Sequence, residues 1–197
     1  MLNVRGLLLA GAALSLGLSA SPASGQSEYY PLKEGSVWTY KVNGNTTTIT
    51  VSKFEKVGEL NCAVLETRNA DGMVLASEHV AVTAKGVLRV KFANMNAEPP
   101  LMFLQLPVKT PSTWEFDTKI AAENVKGKFN ASAVDEVKVP AGKFEKVVKV
   151  ASEGFKANNQ PISIIYYFAP KVGIIKQEID INGVKINIEL DKYEEKK

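Results

Sequence analysis

The residues with the widest chemical range in this chain are its one histidine, His79, and its one cysteine, Cys62. A general-base histidine needs a nucleophile and an orienting group within hydrogen-bond reach. Glu78-His79 sits in a stretch that alternates like a strand, where neighbouring side chains point to opposite faces, so these two are expected not to pair. Cys62 shares its strand face with Leu60 and Val64 and has no cationic neighbour in sequence to lower its pKa, so it reads as a small buried hydrophobe. A single histidine excludes a His-rich metal centre, and there is no serine nucleophile elbow, glycine-rich phosphate loop or HExxH motif. Asp135-Glu136 and Asp180 read as solvated strand or turn positions. The expectation is a protein that is not an enzyme and uses no metal or cofactor.

Binding chemistry is left to the apolar groups. Trp38, Tyr40, Trp114, Phe116, Tyr166 and Phe168 recur at two-residue spacing, and Leu101, Met102 and Phe103 open a dense apolar run. These nine residues have two readings. They fill a core, where each aromatic buries a large area, or they line an apolar cavity that holds one small hydrophobic molecule.

The elements that position them show a repeat. Pro31-Leu32-Lys33-Glu34-Gly35-Ser36-Val37-Trp38-Thr39-Tyr40 returns as Pro107-Val108-Lys109-Thr110-Pro111-Ser112-Thr113-Trp114-Glu115-Phe116. The order of elements after each copy also matches, which places pseudo-repeats at 31–93 and 107–192. Alternation predicts strands near 36–42, 46–57, 60–69, 73–83 and 87–93, then near 112–123, 128–139, 143–153, 161–169, 173–181 and 184–192. Asn43-Gly44 and Asn182-Gly183 are hairpin turns of the type that needs positive φ, and Lys126-Gly127 is expected to take the same role. The apolar, proline-rich connector 94–111 departs from this plan. It is expected to cross an end of the barrel or to cover its concave face, with room for a helical turn at 101–105.

The fold class is therefore all-β: an antiparallel meander of about eleven strands from a duplicated five-strand unit. One dry face must be buried on itself, which gives a barrel or half-barrel first and a two-sheet sandwich next.

Residues 1–25 carry a lone early arginine, an apolar run Leu7–Leu18 and a small-residue stretch, the pattern of a secretory signal peptide. The rest, 26–197, reads as a single domain that is exported and soluble in the periplasm or outside the cell, with no transmembrane segment. The formal charge of +3 of the whole chain, spread along the strands, argues against nucleic acid as a partner.

Val139-Pro140-Ala141-Gly142-Lys143-Phe144 and Tyr166-Tyr167-Phe168-Ala169-Pro170-Lys171-Val172-Gly173, each followed by a strand, resemble a pattern in secreted bacterial β-rich proteins of unknown function. These are the TapB-like and related families. The resemblance implies an envelope or extracellular location and an open β-barrel similar to that of periplasmic lipoprotein carriers, and it brings no catalytic residues. The functional expectation is a non-enzymatic barrel that binds or carries an apolar ligand such as a lipid or acyl chain. Its alternative is an envelope structural or interaction protein with a fully packed interior.

Overall fold

A computed structural model describes residues 27–157 and 160–196. The signal peptide expected over 1–25 lies outside the described residues. Alternating β-branched and polar residues form twelve strands: β1 (Val37–Val42), β2 (Asn45–Val57), β3 (Leu60–Asn69), β4 (Val74–Val82), β5 (Gly86–Phe92) and β6 (Met95–Gln105), then β7 (Ser112–Ile120), β8 (Glu123–Val139), β9 (Gly142–Ala157), β10 (Gln160–Ala169), β11 (Gly173–Ile181) and β12 (Val184–Glu194). Each strand pairs antiparallel with the next, and β1 closes the ring on β12 through Val37↔Glu194 and Trp38↔Tyr193. The result is a closed barrel rather than an open or half-barrel, so no long stretch of strand edge is left at its girdle.

Three local expectations change. The ring has twelve strands because the connector 94–111 supplies one: β6 stands in the wall between β5 and β7, with Leu101 and Phe103 in the core and no helical turn. Its alternating Leu-x-Phe run pairs with β5 and turns Leu101 and Phe103 to the inside, which suits a wall strand. The turn after β7 falls at Ala121-Ala122 and not at Lys126-Gly127. Gly127 lies inside β8 opposite Phe116, where an added Cβ would sit 2.9 Å from Phe116 Cζ and 3.0 Å from Phe155 Cα. The glycine serves close packing of a ring on the backbone, a second use of glycine in strands. Asn43 (φ 47) and Gly44 (φ 91) do form the expected positive-φ turn, as do Asn182 (φ 53) and Gly183 (φ 85).

The thinnest part of the wall is the β6–β7 seam. Only Ala97↔Ile120 and Glu98↔Lys119 pair there, because Pro99 and Pro100 have no N–H to give a ladder. Two side chains replace it. The Thr118 hydroxyl donates to the Pro99 carbonyl, and the Trp114 indole N–H donates to the Met102 carbonyl at 2.9 Å. Thr118 is fully buried at this seam. Thr118→Val keeps the shape and loses the bond, so it is expected to lower the unfolding free energy by about 1–2 kcal/mol, measured as a shift of the urea midpoint.

One barrel end is plugged. β8 and β9 outrun their outer neighbours, and the tip of their hairpin reaches across to a non-adjacent strand, where Ala141 N–H donates to Leu190 O at 2.9 Å. Val137, Val139 and Phe144 pack against the main core from this hairpin. The chain before β1 fills the same end, with Leu32 buried and Tyr30 edge-on to Phe103 at 5.4 Å.

Candidate functional site: the barrel interior

Of the nine residues expected to form a core or line a cavity, eight are buried in one cluster: Trp38, Tyr40, Leu101, Phe103, Trp114, Phe116, Tyr166 and Phe168. Met102 is half-buried. The rings form two groups. Phe129 tilts on Phe116 at 4.7 Å and Trp114 at 5.7 Å, and Phe155 meets Phe116 edge-on at 5.4 Å. Phe103, Tyr166 and Phe168 form the other group, linked to the first by Phe129–Tyr166 at 6.3 Å. Phe129 itself was not among the nine, although it alternates with Ala131 on the inward face.

The polar tips of the large residues are already engaged. Trp38 Nε1 donates to Val172 O at 2.7 Å and the Tyr40 hydroxyl donates to Ile174 O at 2.8 Å. Burial, then the neighbouring Tyr30, holds the Tyr40 phenol well above its ordinary range. With the Trp114 bond across the seam, all three act as ties between wall and core.

The interior also holds a charge pair that sequence reading missed. Arg89 Nε donates to Glu78 Oε2 at 2.7 Å, with the two side chains 17% and 23% exposed. The guanidinium lies over Phe103 at 5.3 Å and Phe92 at 5.6 Å. Burial works against the charged guanidinium, but Glu78 and Tyr166 outweigh it and hold the group protonated. Burial followed by Glu78 raises the Tyr30 phenol far above its usual value. The available signal was parity: Arg89 lies two residues after Val87, and Glu78 two before Val80, so each charge shares a strand face with a core valine.

Beside this pair is a cavity of about 60 Å³, lined by Tyr30, Trp38, Tyr40, Thr67, Glu78, Arg89 and Gln177 among others. That is room for a few water molecules, whereas pockets for drug-sized ligands run from about 300 to 1,000 Å³.

On the outer face, His79 and Glu78 point apart as alternation requires. His79 Nε2 lies 2.7 Å from Glu55 Oε1 on β2. Hydrogen bonds from Lys53 first and His79 second hold the Glu55 carboxyl down to about 2. Cys62 is buried with Ala81 and Val90, and burial pushes its thiol up, the opposite of what an activated nucleophile needs. Among the described residues no three His, Cys, Asp or Glu side chains are grouped to hold a metal ion, and no helix is long and apolar enough to cross a membrane.

No protein-family model matches the chain, which leaves the resemblance to the TapB-like families unconfirmed, and no curated protein matches it. Solved structures similar to it include a candidate lipoprotein from Parabacteroides distasonis, 13% identical with a TM-score of 0.49 over 84% of this chain and 98% of that one. Another is a candidate exported protein with a YmcC-like fold from Bacteroides fragilis, 13% identical with a TM-score of 0.43 over 86% of this chain and 100% of that one.

Proposed function

We propose that the protein is an exported, non-enzymatic β-barrel that acts through its surface, as a structural or interaction module of the cell envelope. The observation that carries this reading is the filled interior. Interlocked rings occupy the barrel and leave about 60 Å³ beside the Glu78–Arg89 pair. An acyl chain would have to displace Phe103, Tyr166 or Phe168, each with 1% exposure or less. Export is supported by the three-part pattern of residues 1–25.

A carrier of apolar ligands is the second reading, and a different part of the barrel favours it. Phe92 and Met95 pair opposite each other, as do Ile181 and Val184, at hairpins on the end away from the plug. They lie on the inward strand face yet are 38–65% exposed. An apolar ligand could rest on that mouth without entering the core.

Native mass spectrometry of protein purified from its host, together with titration of a fluorescent fatty acid, separates the two. The packed module is expected to fly ligand-free and to leave the probe unbound at concentrations of about 10 μM, where a ligand worth about 7 kcal/mol would be half bound. Co-purifying acyl species, or probe binding that Val184→Ser weakens, would reverse the choice in favour of the carrier.

A further inference from the structure

The hairpin that plugs the barrel leaves a strand edge without a partner. β8 pairs with β7 only as far as Ala131, opposite Ser112, yet it runs on to Val139. From Ser132 to Val139 its ladder partner among the described residues is β9 alone. A groove of about 650 Å³ lies over one face of this two-stranded ribbon, lined by Ala133–Glu136 of β8, Glu145–Val148 of β9, Tyr29 and the loop residues Val108 and Thr110. An open row of N–H and C=O groups is a template for another strand.

We propose that this edge joins two copies of the chain, antiparallel, about a two-fold axis at Val137. Geometry restricts how a strand can pair with itself. Successive residues aim their backbone groups alternately to the two sides, and opposed residues must both aim inward or both outward. Self-pairing therefore matches residues of equal parity, and the axis falls on a residue, never between two. Centring on Asp135 or Glu136 opposes two carboxylates, and centring on Lys138 opposes two ammonium groups. Like charges directly opposite are destabilising. A centre at Val134 or earlier drives the incoming strand into the part of β8 that β7 already occupies.

Val137 is free of both faults. With the axis there, Val137 meets its own copy, and Glu136 of each chain stands opposite Lys138 of the other, so two ion pairs form. This is the self-complementary pattern of an isologous contact. Lys138 is 79% exposed and already lies 3.7 Å from Glu136 in its own chain, while Glu136 also reaches Lys143. Both groups are thus held on the accessible side of the hairpin. The inference goes beyond the reading of the interior and does not depend on whether a ligand binds there.

So short a contact belongs to the weak, transient class. Sedimentation velocity on the purified protein, up to about 1 mM, tests it in that range. The wild type is expected to form a dimer that weakens with salt. Glu136→Lys and Lys138→Glu should each weaken it about tenfold or more, because two attractive pairs become repulsive. The double variant E136K/K138E rebuilds both pairs with the signs exchanged and should recover to within about threefold of wild type. A circular-dichroism melt checks that every variant is folded. A monomer at all concentrations overturns the proposal, as does a dimer that ignores either single change, or one that the double change fails to restore.

Discussion

Phe129→Ala is expected to lower the unfolding free energy by about 3–5 kcal/mol, the range for truncating a large buried ring. Phe129 is 1% exposed and touches Trp114, Phe116 and Tyr166, so it joins the two ring groups of the interior. Its neighbours hang from β7 and β10, and the Trp114 indole is tied to the Met102 carbonyl, which limits how far they can collapse into the space. Domains of this size are stable by about 5–15 kcal/mol in total, so the loss should be plain in a urea titration. A loss below about 1 kcal/mol would mean a loosely filled barrel, because a well-packed site cannot give up a ring at so little cost. That outcome would also undercut the packed-interior function.

The second large effect concerns the Glu78–Arg89 pair. Arg89→Leu removes the counter-charge and leaves Glu78 among aromatic side chains, and Glu78→Leu does the same to Arg89. Breaking a buried pair costs about 3–5 kcal/mol, and the partial exposure of this one lowers the expectation to about 2–4 kcal/mol for either single variant. The double variant, with two leucines, should sit closer to wild type than either single one, because it strands no charge. A double-mutant cycle from urea unfolding measures this directly. If the double variant lost as much as the sum of the two singles, the pair would be contributing through separate contacts, Arg89 through its place over Phe103 and Phe92.

The same pair shows where sequence reading stopped. Parity alone puts Glu78 and Arg89 on the inward face, but a strand pattern is read from its majority, and two charges among valines look like noise. Their partnership depends on a register in which Val80 stands opposite Arg89 and a bulge carries Lys91 to His79. Nothing in local sequence sets such a shift. Gly127 was misread for a related reason. A glycine after a lysine is a sound turn signal, and only the ring of Phe116 on the paired strand shows why a Cβ is excluded there.

The prolines of the connector misled in the other direction. Pro99 and Pro100 argue against a central strand, and β6 does stand where the ladder is weakest. It belongs to the wall because Thr118 and Trp114 supply from their side chains the hydrogen bonds that proline withholds. Those donors are 19 and 12 residues away in the chain. No window short enough to show alternation contains both partners.

Sequence alone determined the all-β class, most strand positions, the antiparallel order and the burial of the paired aromatics, because period-two alternation and positive-φ turns are properties of neighbouring residues. Tertiary structure decided that the ring closes with twelve strands, that its interior is filled, that a charge pair lies inside and that the β8 edge is left open. Closure and filling depend on the summed volume of side chains that meet only across the barrel, and free edges depend on how far each strand outlasts its neighbour. Both are relations between distant segments, so no local pattern can carry them.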